Sequence, residues 1–185
     1  MNASLRVLEV GLGTQQPHLL STMHYEGGSM LQPGGSLRAF RDYLPHAHIY
    51  GADYDQQVLF EEARITTAYV DQMDYTTFLA LNTSLQGRRF HLVVDDGLHS
   101  IGANLNTLIF ALEQLEVPGW VVIEDIHLPD NWRNVKEILD TAGQEDVICV
   151  HTGGKDGGKG CSIRYRTYMV RDKFQHLFVV HKHFV

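Results

Sequence analysis

The feature that most constrains the fold of this chain is the alternation of short apolar runs with segments of helical periodicity. Such alternation is typical of a parallel sheet with helices on both faces. The predicted strands are 5–10, 48–51, 68–70, 90–94 and 120–123, followed by 147–150 and 177–181. The predicted helices are 36–43, with Ser36 as its cap, and 57–64, 76–81, 103–115 and 132–140. We therefore expect an α/β domain.

Carboxylates stand at or near the ends of the first five predicted strands. They are Glu9, Asp53, Asp71, the pair Asp95 and Asp96, and the pair Glu124 and Asp125. In open parallel sheets the ligand binds beyond the carboxyl ends of the strands, so these side chains should share one edge. Acidic residues are common in loops and helix caps, which could account for one or two of them. The full set favours a functional site.

The first strand runs into the motif Glu9–Gly13, whose two glycines let the backbone approach a ligand closely. A dinucleotide-binding fingerprint needs a third glycine, where this chain has Gln16, and a helix directly after the turn. A long segment, 11–35, follows instead, and loops of that length are usually functional or disordered. Glu9 would repel a pyrophosphate and suits a sulfonium or an ammonium. Asp53 can accept hydrogen bonds from both hydroxyls of a ribose.

The ends of the fourth and fifth strands bring four acids together, since neighbouring strands lie about 4.8 Å apart. The four acids are Asp95, Asp96, Glu124 and Asp125. Unpaired like charges raise one another's pKa and destabilise the fold. A hard divalent cation with oxygen ligands would resolve the repulsion, with Mg²⁺ favoured and Mn²⁺ or Ca²⁺ as alternatives. The competing interpretation is that some of these acids cap helices or pair with Arg133 or Lys136.

Charge and terminal sequence disfavour several classes of partner. The net charge is −7 and no basic face is evident, which argues against a nucleic-acid substrate. No run of about 18 apolar residues occurs, so we expect no membrane partner. The N-terminus lacks the pattern of a signal peptide, which favours the cytoplasm. Cys149 and Cys161 are not spaced as metal ligands.

An ordered set of motifs resembles the class I methyltransferases. The motifs are LEVGLGT (8–14), PGGSLRAFRDYLPHAHIYGADYD (33–55), FHLVVDDGLHS (90–100) and GWVVIEDIH (119–127). Within that class, the region from about Leu5 to His127 is similar to the metal-dependent sugar O-methyltransferases of macrolide and aminocoumarin biosynthesis. The resemblance implies one domain over 1–185, a Rossmann-like three-layer sandwich. Its mostly parallel seven-stranded sheet would have the order 3-2-1-4-5-7-6, with the last strand antiparallel.

The resemblance also implies S-adenosylmethionine as the methyl donor. Residues expected near it are Glu9, Gly11, Gly13, Asp53 and Asp71. Ser36 would contact the methionine carboxylate, because a helix N-terminus favours an anion. Gln72 would lie near the adenine, and Asp95 would face the amino group of the cofactor.

A divalent cation is implied by the same resemblance, with Asp96, Glu124 and Asp125 as its ligands and His99 as the general base. The cation would lower the pKa of a substrate hydroxyl, and His99 would remove the proton before the oxygen attacks the sulfonium methyl. Asp96 would thus act in catalysis as well as in metal binding. His127 is a second candidate base or a neighbour of the metal.

The chain departs from the family pattern in two ways, which leave the substrate open. It begins almost at the first strand, so we expect no N-terminal helical segment over the substrate, and the 11–35 loop is a candidate lid. A sugar, a phenol or another small hydroxylated molecule would fit, and N-methylation is an alternative. The family often forms dimers or larger assemblies, so a homo-oligomer is also expected. The competing functions are a metal-independent methyltransferase, an NAD-dependent oxidoreductase and a non-catalytic binding protein.

Overall fold

A central sheet of eight strands organises the described part of the chain, which in this computed structural model comprises residues 5–19, 32–142, 163–171 and 176–184. The strands are β1 (Arg6–Val10), β2 (His48–Asp53), β3 (Glu61–Glu62), β4 (Ile65–Tyr69), β5 (Phe90–Asp95), β6 (Leu115–Ile123), β7 (Ile163–Arg171) and β8 (His176–Phe184). The α-helices are α1 (Gly35–Tyr43), α2 (Tyr75–Ser84), α3 (Ile101–Gln114) and α4 (Trp132–Ala142). Short 3₁₀ helices lie at Gln56–Val58 and Pro129–Asn131.

The strand order is β3-β4-β2-β1-β5-β6-β8-β7. Strands β1, β2, β4, β5 and β6 are parallel, whereas β8 runs antiparallel to β6 and β7. The predicted α/β class is therefore confirmed. The strand order differs in detail: β3 is an additional strand, and β7, which was not predicted, takes the place of strand 6 in the order 3-2-1-4-5-7-6. Val10, Ala52, Asp95 and Ile123 lie in one row across β1, β2, β5 and β6, so these strands end at one edge.

Two apolar clusters hold the helices against the sheet. Leu8 of β1 and Phe110 of α3 belong to the larger cluster, and Val7 of β1 and Leu37 of α1 belong to the smaller one. Successive strand residues point to opposite faces, which is why Val7 and Leu8 separate in this way. Each such buried side chain contributes roughly 1.5–3 kcal/mol. The clusters thereby fix the helices beside the strand ends where the acids lie.

The predicted helix 57–64 is wrong. The chain forms only the 3₁₀ helix Gln56–Val58 and then the short strand β3. The hydroxyl of Thr67 on β4 lies 2.6 Å from both the backbone nitrogen and the backbone oxygen of Phe60, so it occupies groups that a helix would use. Arg64 has a left-handed backbone, with φ of 63°, and leads the chain into β4.

Two further differences concern the cap of α1 and a late strand. Ser36 does not cap α1, because Gly34 holds the N-cap position and Ser36 lies within the first turn. The strand β7 was not predicted, since its alternating charged residues include Arg164 and Arg166 and obscure the apolar pattern. The predicted strand 147–150 and both cysteines lie outside the described residues. Among the described helices, none is long and apolar enough to cross a membrane.

Candidate active site

A cavity of about 740 Å³ opens at the edge where β1, β2, β5 and β6 end. Most predicted site residues line it, namely Gly11, Gly13, Ser36, Asp53, Asp71, Gln72, Asp96, His99 and Asp125. Glu9, Asp95 and Glu124 are not part of its lining. Glu9 lies behind Ser36, whose hydroxyl donates to Glu9 Oε2 at 2.6 Å, and fully buried Asp95 lies behind Gln72. The predicted residues therefore form the cavity wall and a layer behind it.

Two carboxylates and one imidazole converge at this wall. Asp96 follows β5, Asp125 follows β6, and His99 lies just before α3. Each offers one ligand atom, and these atoms all lie within 4.8 Å of one another. His99 Nε2 is 3.7 Å from Asp96 Oδ1 and 3.8 Å from Asp125 Oδ2. Glu124, predicted as a ligand, is outside this compact group, which contains His99 instead.

The backbone at His99 and Asp125 is left-handed, with φ of 55° and 49°. Non-glycine residues adopt this conformation rarely, at a cost of order 1–3 kcal/mol, and such residues cluster at functional sites. Each side chain also has a buried polar atom with no hydrogen-bond partner among the described residues, Nδ1 of His99 and Oδ1 of Asp125. Buried polar atoms without partners call for an explanation, such as an ion or a water. Together with the oxygen and nitrogen donors, these atoms fit a divalent cation.

Two acids near this group, Glu124 and Glu9, have raised pKa values. Burial raises the pKa of Glu124, and the charges of Asp96 and Asp125 raise it further. Burial also raises the pKa of Glu9 to about 7; the hydrogen bond from Ser36 opposes this shift, and the charges of Asp96 and Glu124 add to it. A positive charge at this edge would therefore relieve a repulsion that burial makes costly.

The two basic residues that could have neutralised these acids pair elsewhere. Arg133 Nη2 is 2.7 Å from Asp130 Oδ1, and both side chains are exposed. Lys136 pairs with Asp140 one turn along α4. Neither Arg133 nor Lys136 is therefore the counter-charge of the cavity acids, which leaves a bound cation as the favoured interpretation.

The turn after β1 is held by Asp53 and packs against the loop that carries Asp96. Asp53 Oδ2 accepts a hydrogen bond from the Leu12 backbone at 2.6 Å, and its Oδ1 accepts one from the Asp55 backbone at 2.7 Å. Burial raises the pKa of Asp53, and these backbone hydrogen bonds oppose the shift. Gly11 has φ of 101°, and a Cβ there would lie 2.1 Å from the carbonyl oxygen of Asp96. Only glycine allows the two loops to approach this closely.

Some lining residues were missed by the sequence argument. Tyr54, Met73 and Leu98 line the cavity, and Tyr54 and Met73 are exposed. Tyr54 directly follows a strand-end acid, and Met73 and Leu98 each lie two residues after such an acid. Their closeness in sequence to these acids could have predicted that they line the cavity. His127 also lines the cavity, with its ring centroid 6.0 Å from that of His99, as a second candidate base would require.

The fold is that of known methyltransferases. The MycE methyltransferase from the mycinamycin biosynthetic pathway, solved in complex with Mg and SAH, matches with a TM-score of 0.64 at 22% sequence identity. The match covers 99% of this chain and 46% of that chain. At this level of identity the likeness establishes a methyltransferase fold.

Two curated O-methyltransferases are similar to this chain in sequence. The demethylmacrocin O-methyltransferase of Streptomyces fradiae is 38% identical over 128 residues, which are 68% of this chain. The mycinamicin VI 2''-O-methyltransferase of Micromonospora griseorubida is 37% identical over 126 residues, also 68% of this chain. The chain spans only 28% of the length of either relative, and no family model matches it. The resemblance to O-methyltransferases of macrolide biosynthesis is thereby confirmed.

Proposed function

We propose that this chain forms a single S-adenosylmethionine-dependent methyltransferase domain over 1–185, which methylates a hydroxyl of a small molecule with the aid of a divalent cation. The observation that carries the proposal is the convergence of Asp96, His99 and Asp125 at the wall of the cavity. The same cavity contains the glycine turn after β1, so the groups for cation binding and for methyl transfer share one space.

The methyl donor would lie along the turn after β1, where Gly11 and Gly13 present bare backbone. Both oxygens of Asp53 already accept backbone hydrogen bonds, but a carboxylate has about four acceptor positions, so ribose hydroxyls can still bind there. Ser36, in the first turn of α1, favours the methionine carboxylate through the helix N-terminus. Tyr54 offers ring surface to the adenine.

Glu9, Asp71 and Asp95 would support the donor in different ways. Asp71 lines the cavity beside the expected adenine position, and its Oδ1 accepts a hydrogen bond from the Met73 backbone at 2.9 Å. Glu9 would act through Ser36, to which it is bonded. Asp95 would act through Gln72, because it is fully buried behind that residue.

Asp96 and Asp125 would hold the cation, and Glu124, the other predicted ligand, directly precedes Asp125 in the chain. A Mg²⁺ or Mn²⁺ ion held by these residues would supply Lewis-acid chemistry that lowers the pKa of a substrate hydroxyl. His99, whose Nε2 is 3.7 Å from Asp96 Oδ1 and 3.8 Å from Asp125 Oδ2, would accept the hydroxyl proton. The new O–CH₃ bond forms as the S–CH₃ bond of the sulfonium breaks, while the protein supplies proximity and orientation. His127 is the alternative proton acceptor.

The substrate class that fits best is a small hydroxylated natural product, such as the sugar of a glycosylated macrolide. The curated relatives carry the names of O-methyltransferases acting on demethylmacrocin and mycinamicin VI. A cavity of about 740 Å³ is within the usual range for small ligands. The net charge of −7 argues against a nucleic-acid substrate. A cytoplasmic location and a homo-oligomer stay predictions.

Calorimetric titration with S-adenosylhomocysteine, with Mg²⁺ and after EDTA, tests the proposal. We expect micromolar binding of S-adenosylhomocysteine and a separate Mg²⁺ heat that Asp96→Ala abolishes. Asp130→Ala is the matched control, because Asp130 is an exposed acid paired with Arg133. Absence of S-adenosylhomocysteine binding under every condition would overturn the methyltransferase proposal. Binding without any Mg²⁺ heat would favour a metal-independent methyltransferase.

A further inference from the structure

Gln72 lies in the cavity wall beside the loop 96–99, which carries the proposed cation ligand Asp96 and the proposed base His99. It lines the cavity but is only 7% exposed. Its Nε2 donates to Asp95 Oδ1 at 2.8 Å and to Thr107 Oγ1 at 2.9 Å. Its Oε1 accepts a hydrogen bond from the Leu98 backbone at 2.8 Å. The side chain thus joins β5, α3 and the loop in one connected set of hydrogen bonds.

These contacts use both N–H groups of the Gln72 amide, because a primary amide has only two. No donor is left to read the ring nitrogens of an adenine. The backbone oxygen of Gln72 is also engaged, since Asn106 Nδ2 donates to it at 2.8 Å. The position of Gln72 in the wall agrees with the expected adenine region, but its side-chain amide and its backbone oxygen bind groups of the protein.

The loop packs tightly on this amide. A Cβ added at Gly97 would lie 2.1 Å from Gln72 Oε1 and 2.8 Å from its Cδ. The same loop meets the turn after β1, where Asp96 donates its backbone N–H to Val10 at 2.8 Å and Gly11 allows close approach. The contacts of the loop therefore include the Val10 backbone, the Gln72 side chain and Asp95, whose Oδ1 accepts a hydrogen bond from the Gly97 backbone at 3.3 Å.

We propose that Gln72 is a positioning residue, which holds the loop 96–99 so that Asp96 and His99 lie opposite Asp125. The bond to the Leu98 backbone is adjacent to His99 and two residues from Asp96, so its loss would displace both groups together. Because both donors of the amide are engaged and Oε1 already accepts from Leu98, we expect its side chain to contribute little to cofactor affinity. The role of the loop in cation binding rests on the proposed function; the packing of the loop on Gln72 does not.

Gln72→Met tests this proposal, since methionine has a similar size and cannot form the hydrogen bonds. Thr107→Val is the matched control, because it removes one bond of Gln72 and leaves the bond to Leu98. We expect Gln72→Met to raise the Kd for Mg²⁺ about tenfold or more, because losing a residue that orients metal ligands typically weakens metal affinity by that amount. The Kd for S-adenosylhomocysteine should change less than about twofold. Hydrogen exchange at the Leu98 amide should accelerate in Gln72→Met and stay slow in Thr107→Val.

Unchanged Mg²⁺ affinity with a protected Leu98 amide in Gln72→Met would overturn the proposal. Loss of S-adenosylhomocysteine binding with normal Mg²⁺ affinity would also overturn it, since Gln72 would then act on the cofactor. Gly97→Ala is a second variant, because the added Cβ displaces the Gln72 amide without removing it. We expect Gly97→Ala to weaken Mg²⁺ binding as well, which keeps the proposal testable if Gln72→Met fails to fold. If the wild-type protein binds neither ligand, the proposed function fails, and exchange at Leu98 still tests the positioning.

Discussion

Replacing Gly11 by alanine should destabilise the fold strongly, because two costs coincide at this position. The added Cβ would lie 2.1 Å from the carbonyl oxygen of Asp96 and 2.8 Å from the Cα of Gly97, and φ is 101°. Both contacts are with backbone, so no side-chain rotation relieves them. A left-handed backbone costs alanine roughly 1–2 kcal/mol, and overpacking adds about 1–3 kcal/mol. We therefore expect Gly11→Ala to lower the free energy of unfolding by about 2–5 kcal/mol.

Alanine substitutions at two other glycines distinguish the backbone cost from the overpacking cost. Gly87 has φ of 68° with nothing within 4 Å of an added Cβ, so Gly87→Ala should cost only the backbone contribution of roughly 1–2 kcal/mol. Gly35 begins α1, lies outside the left-handed region and has the same open space. Gly35→Ala should leave stability unchanged or raise it by up to about 1 kcal/mol, since alanine is the better helix former.

Urea denaturation of the three variants and the wild type measures these differences directly. The order of stability should be Gly35→Ala, then Gly87→Ala, then Gly11→Ala. If Gly11→Ala loses no more stability than Gly87→Ala, the close packing of the β1 turn on the Asp96 loop is refuted. That result would leave the hydrogen bonds of the loop to Val10, Asp95 and Gln72 as its supports.

Three further predictions concern charge and ligands. Burial raises the pKa of Glu9 from 4.5 to about 7, so its contribution to stability is full below pH 4.5 and is lost as pH rises through 7. In the metal-free protein, urea denaturation should show wild type losing up to about 3 kcal/mol relative to Glu9→Gln on going from about pH 5 to 8, at about 1.4 kcal/mol per pKa unit; a pH-independent difference would contradict this. By calorimetry, Asp125→Asn should weaken Mg²⁺ binding about tenfold or more, and the exposed control Asp130→Asn should not; equal effects would argue against the site. Tyr54→Ala should weaken S-adenosylhomocysteine binding without changing Mg²⁺ binding, and an unaltered Kd would remove Tyr54 from the cofactor site.

The sheet and its functional edge could be predicted because both depend on short-range patterns. The apolar runs that became β1 and β5 were placed within one residue of their observed ends. Strand-end acids share an edge in any parallel sheet, so Asp53, Asp96 and Asp125 could be assigned to one site before their geometry was known. Periodicity likewise sufficed for α3, whose apolar face packs on the sheet.

Features that depend on contacts between distant segments could not be predicted. Ser36 forms a hydrogen bond with Glu9, 27 residues away in sequence, and Gln72 forms one with Leu98, 26 residues away. No local sequence pattern predicts either pair. Glu124 and Asp125 are consecutive acids, yet only Asp125 belongs to the group with Asp96 and His99, and its left-handed φ of 49° has no signature in the sequence. The predicted helix 57–64 failed for the same reason, since the competing hydroxyl comes from another strand.

A crystal structure of the protein with S-adenosylhomocysteine and Mn²⁺, with anomalous diffraction used to locate the metal, tests metal-assisted methyl transfer most directly. We expect a Mn²⁺ peak between the carboxylates of Asp96 and Asp125, and S-adenosylhomocysteine in the same cavity with its ribose at Asp53. S-adenosylhomocysteine bound elsewhere, or bound in the cavity with no metal peak at saturating Mn²⁺, would contradict metal-assisted methyl transfer at this site.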